Sequence, residues 1–366
     1  MSGEFRIPCA EQPPPQPALA PSAAAAVGSA AAAAAVATAA GVTTDTPGGA
    51  CWCCLEVTLA STRQSVLRGC ACRGSSGWVH VDCLAQAAQI TSEVWMTCPT
   101  CKQDWHGELL VQLCRAHCRL TDDGRPKEDP EKVMAALELI YALRENDELA
   151  ESLQLGRSTL EVCRRNYGDE HGATQSAMSH LASTHARMDN PALALPLERE
   201  LLAVRQRLGG SSDLGYLSAA GNLALTLKNL GNYAESLPLF LDVLCHERSI
   251  MSRGDASPAG PHTVMLNLAG LHNAMGNHQL AVDLSAEVWE IRQRVLGSQH
   301  PETLTCLERL GASMCMLGDY AAGLPMLQAA LDGLTAVCGS EHSSTLRAHS
   351  ELHTCFINQA DEALDA

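Results

Sequence analysis

Apolar residues set a long period on this chain. From Val133 onward they recur at i, i+3, i+4 and i+7, the stripe of an amphipathic helix, and the stripe itself repeats. Comparable leucines fall at Leu139, Leu181, Leu223, Leu268, Leu310 and Leu352, spaced 42, 42, 45, 42 and 42 residues. The best-preserved unit reads GNLALTLKNLGNYAESLPLFLDVL, and it recurs as LNLAGLHNAMGNHQLAVDLSAEVW and LERLGASMCMLGDYAAGLPMLQAAL. A Gly-Asn or Gly-Asp turn splits each unit: Gly231-Asn232, Gly276-Asn277, Gly318-Asp319. A second break closes it, as in LGSQHPETL and CGSEHSSTL. There Gly297 and Gly339 suit a left-handed C-cap and Pro301 a first helical turn. The pattern predicts five pairs of antiparallel helices, 133–166, 173–208, 213–248, 261–295 and 302–337, with a last helix from about 343 capping the stack. Units of this kind bury their faces only against neighbours, so 133–366 reads as an α-solenoid with a concave groove. The longer third interval places a loop insertion in SRGDASPAG.

Ahead of the repeats the period fails. Residues 1–48 are Pro-rich and then Ala-rich, and read as a disordered tail. The Ala run has no Leu, Ile or Phe to favour lipid, and no basic stretch leads directly into an apolar one as in a signal peptide. Residues 108–132 open with a helical run, GELLVQLCRAHCRL, and close in a linker, TDDGRPKEDPEK. Cys114 and Cys118, four apart with no second pair nearby, read as packing residues. Between these stretches, in 49–107, the cysteines dominate.

At 366 residues the chain has room for two or three domains. Aromatics are only 4% of it, so the core must be aliphatic and Ala-rich, which favours a mostly α fold. A formal net charge of −16 argues against nucleic acid as a bulk electrostatic partner. With no secretory signature, the 17 cysteines read as reduced thiols in cytosol or nucleus.

Eight residues between 51 and 101 have metal-ligand spacing: Cys51, Cys54, Cys70, Cys72, His80, Cys83, Cys98 and Cys101. They form four clips, CxxC, CxC, HxxC and CxxC, each suited to Zn²⁺, which takes four thiolate or imidazole ligands. Their intervals of 2, 15, 1, 7, 2, 14 and 2 residues, with the run CRGSSGWVHVDCL after Cys70-Ala71, resemble the RING-CH (RING-variant) finger. A PHD finger shares the ligand order, but the single Ala71 and the seven residues before His80 favour RING-CH. The resemblance implies a cross-brace of two Zn²⁺: one on Cys51, Cys54, His80 and Cys83, the other on Cys70, Cys72, Cys98 and Cys101. Metal would stabilise fifty residues with few large apolar side chains. Arg68, Arg73 and Lys102 would offset the thiolate charge, and His106 reads as a surface histidine.

The 42-residue period and the LGxxHPxTL link resemble tetratricopeptide repeats of the kinesin-light-chain subtype. In related repeats an asparagine before the first-helix leucine grasps peptide backbone. Here those positions hold Glu138, His180, Asn222, Asn267, Arg309 and Glu351, so a peptide groove would centre on Asn222 and Asn267. His171, His300 and His342 recur at the inter-repeat turn and imply capping or packing, and no catalytic constellation is visible in the repeats. RING-type fingers act without a covalent intermediate, docking a charged ubiquitin-conjugating enzyme. In this sequence the docking positions are Cys53, Ala87 and Pro99, with Lys102 as a cation toward ubiquitin. Pro99 matches the family, whereas Cys53 and Ala87 replace larger apolar groups. Two functions stand. One is a ubiquitin ligase whose repeats bind the protein substrate; the other is a non-catalytic zinc-binding scaffold or adaptor that assembles protein partners.

Overall fold

The computed structural model describes residues 50–56, 58–59, 64–67, 69–70, 78–210, 213–252, 262–340 and 343–365; the Pro/Ala-rich tail lies outside them. Two compact units divide the chain, Met1–Ser152 and Leu153–Ala366.

The first unit opens with a two-residue antiparallel ladder, β1 (Thr58–Leu59) on β2 (Gln64–Ser65), in register Thr58–Ser65 and Leu59–Gln64. Then come α1 (Val81–Ile90), a 3₁₀ turn (Ser92–Trp95), α2 (Gly107–Thr121) and α3 (Pro130–Glu145). Helix α2 is the keel. It packs on both α1 and α3 and buries Leu109, Leu110, Val111, Leu113, Cys114, Ala116 and His117. Gly69 meets it so closely that a Cβ would stand 2.8 Å from Leu109 Cβ. Helix α3 starts three residues before the apolar stripe does. Pro130 occupies its first turn, and the Asp129 carboxylate caps it by accepting from the Glu131 and Lys132 amides. Burial and the nearby Glu138 carboxylate push both α2 thiols up, Cys118 to about 11, as befits packing residues.

Helix α4 (Leu149–Tyr167) begins in the first unit and continues into the second, which holds α5 (Gly172–Arg187), α6 (Pro191–Gly209), α7 (Leu214–Asn229), α8 (Tyr233–Ser252), α9 (His262–Ala274), α10 (His278–Leu296), α11 (Pro301–Met316), α12 (Tyr320–Cys338) and α13 (Ser343–Asp365). From α5 to α13 each helix packs on the next, and the first helices α7, α9, α11 and α13 also touch in sequence. By length and composition α12 could cross a membrane; here it is stacked against α11 and α13.

One turn is made five times. Asp147, Asp189, Gly231, Gly276 and Gly318 have φ of +60°, +55°, +74°, +79° and +91°. The next residue's amide in each case donates five residues back, as Asn232 does to Leu227 O at 2.9 Å and Asp319 to Met314 O at 3.0 Å. This Schellman closure satisfies the last carbonyls of each first helix. The opposite turns use Gly168, Gly210, Gly297 and Gly339, again at positive φ. Gly297 and Gly339 have ψ near +160°, an extended mirror conformation in place of the expected helical αL. Within each pair, residues at one register are small and buried: Ala194, Ser236, Ala281 and Gly323. A Cβ on Gly323 would stand 2.5 Å from Cys315 Sγ and 2.7 Å from Gly311 O, so helices α11 and α12 approach only because it is absent.

Candidate functional site

The two CxxC clips fold into the same knuckle. Cys51 N–H donates to Glu56 O at 2.9 Å and accepts Leu55 N–H on its carbonyl at 2.8 Å. Cys98 does likewise, to Gln103 O at 2.8 Å and from Lys102 at 2.9 Å. Leu55 (φ +64°) and Lys102 (φ +58°), each directly after the second cysteine, take the left-handed turn without being glycine. That strain is retained where both thiols must face one point.

Long-range backbone bonds decide which clips meet. Trp52 N–H donates to Trp78 O at 3.0 Å, setting the first knuckle beside the residues that lead to His80. His80 is the N-cap of α1, and Cys83 lies in that helix's first turn. The second knuckle exits at Trp105 and His106, and His106 N–H donates to Gly69 O at 3.0 Å, beside Cys70. Clips one and three are therefore joined, as are clips two and four.

The ligand atoms of Cys51, Cys54, His80 and Cys83 lie within 4.8 Å of one another, and so do those of Cys70, Cys98 and Cys101. Cys72 lies outside the described residues, as do Arg68, Arg73 and His342. His80 is fully buried, with Nδ1 3.3 Å from Cys54 Sγ and 3.9 Å from Cys83 Sγ. Both groups could hold a metal ion. The donor chemistry fits one. Burial tends to raise the Cys51 thiol, yet amide donation, led by Cys54 and then His80, outweighs it and favours the thiolate. Burial, and then the charge of Cys51, raise Cys83 strongly; only a cation makes several thiolates compatible at this range. The extra thiol, Cys53, is pushed up to about 12 by burial and then by Cys51, the opposite direction to its neighbour.

Of the docking positions, Cys53, Ala87 and Pro99 are half-buried and Lys102 is exposed. Trp95 stacks face to face on His117 of α2, ring centres 4.1 Å apart, and Trp105 Nε1 donates to Val94 O at 2.8 Å. His106 is exposed at the start of α2, with no cap bond from its side chain.

In the repeats, His171 and His300 are N-caps: each Nδ1 accepts an amide, from Ala173 and Glu302, at 3.2 Å. Asp213 caps α7 in the same place. Asn222 is exposed on α7 and Asn267 half-buried on α9, and neither side-chain amide bonds within the fold among the described residues. The matching positions are engaged or charged. Glu138 Oε2 lies 2.7 Å from His117 Nδ1, and Arg309 Nη1 reaches Leu266 O at 3.5 Å. The sequence carries no sign of that His117–Glu138 contact, which joins α2 to the first repeat helix.

Tetratricopeptide-repeat families match residues 132–207 and 262–322, and residues 217–245 and 303–344. No curated protein matches the chain. Similar solved structures include the nearly identical TPR-like repeats assigned to a kinesin light chain of Podosopora anserina, at 18% identity and TM-score 0.49, over 58% of this chain and 99% of that one. BtubC (BKLC) from P. vanneervenii is 17% identical at TM-score 0.46, over 59% and 80%. The Rap protein complexed with Competence and Sporulation Factor is 10% identical at TM-score 0.48, over 77% and 85%. Likenesses this distant carry no function. The period, the fivefold turn and the family matches agree on one identity: the helix stack of this chain is a set of tetratricopeptide repeats.

Proposed function

We propose that the chain is a zinc-stabilised adaptor of the cytosol or nucleus, whose repeats, of kinesin-light-chain subtype, bind a protein partner. The observation that carries this reading is the pair Asn222 and Asn267. They stand in one register on neighbouring first helices, and their amides bond nothing in the fold among the described residues. Zinc suits the finger because three thiolates and an imidazole form a closed, redox-inert tetrahedral set, and it would hold Cys51, Cys54, His80 and Cys83. Cys70, Cys98 and Cys101, with Cys72, would hold the second ion. Metal analysis of the purified chain is expected to find two zinc equivalents. A pull-down comparing the native chain with a double Asn222→Ala, Asn267→Ala variant tests the groove, and unchanged partner recovery would remove it.

A second reading is favoured by one observation, the interleaving of the ligand groups in the pattern of a RING-CH cross-brace. On it the finger would dock a ubiquitin-conjugating enzyme at Cys53, Ala87, Pro99 and Lys102. The small side chains at Cys53 and Ala87 place it second, because losing an apolar anchor costs about 2 kcal/mol of binding. Zinc-loaded protein that builds no ubiquitin chains with any of a panel of conjugating enzymes would end this reading.

A further inference from the structure

Two cysteines of the stack meet. Cys315, in the last turn of α11, and Cys355, on α13, are buried in one cluster with Leu327 and Leu352. Both are free thiols, and they share a side-chain hydrogen bond. The repeat explains the contact. One 42-residue period earlier the same two positions hold Asn273 and Ser313, whose side chains bond between α9 and α11 at 2.9 Å. That register turns the end of one first helix toward the next, and between α11 and α13 it carries sulfur on both sides. Helix α12 closes the cluster from behind, where Cys315 Sγ lies 2.5 Å from the place a Cβ on Gly323 would take.

Docked, the pair is inert. Burial, and then the bond to Cys355, push the Cys315 thiol up to about 12. Burial raises Cys355 as well, but the bond it accepts from Cys315 favours its thiolate. Of the two, Cys355 is therefore the readier nucleophile. Reactivity needs movement, and α13 is placed for it. Helices α11 and α12 pack on it, while Leu346, Phe356 and Ile357 stand exposed along it. In a stack whose units are stabilised by their neighbours, a helix covered on part of its surface opens before the rest. Its anchors are the Arg347–Glu308 pair, with bonds of 2.8–3.2 Å, and the Cys355 cluster about two turns further on.

We propose that Cys315 and Cys355 are a dithiol site, which a low-molecular-weight disulfide such as oxidised glutathione converts into an intramolecular disulfide that clamps α13 to α11. The site is independent of the finger and of what the repeats bind. When α13 lifts, the Cys355 thiolate attacks the oxidant, forms a mixed disulfide and releases one small thiol. As the helix docks again, the Cys315 thiolate attacks the Cys355 sulfur and displaces the second small thiol. Two protein thiols give up two protons and two electrons, and the S–S bond of the oxidant becomes two thiols. The product bond is about 2.05 Å long, so the sulfurs must close from hydrogen-bond contact, which a small shift of α13 supplies.

The test holds the zinc-loaded full chain in excess oxidised glutathione without denaturant, alkylates the remaining thiols and maps linked peptides by mass spectrometry. A Cys315–Cys355 linked peptide is expected in most molecules, and reduction is expected to remove it. Hydrogen exchange then compares the oxidised and reduced chains. The amides of α13 are expected to slow at least about tenfold, because the bond removes open states of the helix. Cys355→Ser is expected to lose both the linked peptide and the slowing, and Cys338→Ser, on α12, to keep both. Absence of the linked peptide from the folded chain, or its appearance only in urea, overturns the proposal. So does glutathione left on either cysteine in place of the pair. A linked peptide without slowed exchange overturns the clamp. Slowing that survives in Cys355→Ser belongs to another thiol and overturns it too. The map of the native chain needs no substitution, so it decides the matter even if a variant fails to fold.

Discussion

Knuckles and repeats close their turns differently. In the finger, a pair of thiols flanks each knuckle turn, and among the described residues the buried apolar groups are few: Val79, Val81, Leu84, Ala85, Ala88, Val94, Trp95 and Trp105. In the stack, each first helix ends on the same Schellman bonds, and every pair adds its own buried leucines. On the proposed zinc reading, a knuckle turn depends on an ion because its sulfurs repel one another once ionised. A repeat turn depends on backbone bonds and shape, and a neighbour with the same design supports it. Loss of one group should therefore be global in the finger and local in the stack.

Chelation tests that contrast most severely. Structural zinc contributes on the order of 10 kcal/mol per site to folding. Prolonged exposure to a strong chelator is expected to abolish the near-ultraviolet circular dichroism of Trp95 and Trp105 while the far-ultraviolet helical signal largely remains. Simultaneous loss of both would mean that the stack also depends on metal. A finer version separates neighbouring thiols. Cys51→Ser is expected to lower zinc content by one equivalent and Cys53→Ser to leave it at two, since Cys51 and not Cys53 shares a point with Cys54, His80 and Cys83, and the Cys53 thiol is shifted up where that of Cys51 is shifted down. Equal losses from both would mean that Cys53 is a ligand.

In the stack, shape should matter where charge does in the finger. Gly323→Ala puts a methyl 2.7 Å from the Gly311 carbonyl, and backbone cannot step aside as a side chain can. Denaturation of the full chain is expected to show a loss of roughly 2 kcal/mol, with zinc content unchanged. Glu198 is one exception in the stack, a buried carboxyl whose Oε2 has no hydrogen-bond partner among the described residues, with Thr226 as a bonding neighbour. Burial raises its pKa, so the folded chain binds the proton more tightly than the unfolded one. Its contribution is most favourable at pH values below the ordinary carboxylate range and falls as pH rises through the raised pKa. Glu198→Gln is therefore expected to gain roughly 1 kcal/mol at neutral pH, with the gain vanishing in acid. A gain independent of pH would locate the cause elsewhere.

The helix pairs were legible because 42-residue periodicity is written in large apolar side chains, which burial requires. The grouping of the described cysteines with His80 was legible because their clips have short, fixed spacings. What escaped the sequence was set by single backbone positions or by contacts across helices. The left-handed turns of the first two pairs carry Asp147 and Asp189, so a search for glycine passes over them. The buried small residues at 194, 236, 281 and 323 lie inside otherwise ordinary helical stripes. Cys315 and Cys355 look like separate packing thiols until α13 is beside α11.

Asp189 gives the smallest effect and the most direct test of the repeated turn. Its φ of +55° is tolerable for aspartate but costs glycine nothing, and the later pairs use Gly231, Gly276 and Gly318 in its place. Glycine also makes the unfolded chain more flexible, which offsets part of the gain. Asp189→Gly is therefore expected to stabilise the stack by about 0.5 kcal/mol, the residue of two opposing contributions. Gly231→Asp should lose a similar amount, because it makes the third turn like the second. If both changes destabilise, the aspartate side chain contributes to the second turn beyond its backbone angle, and the five turns are not equivalent.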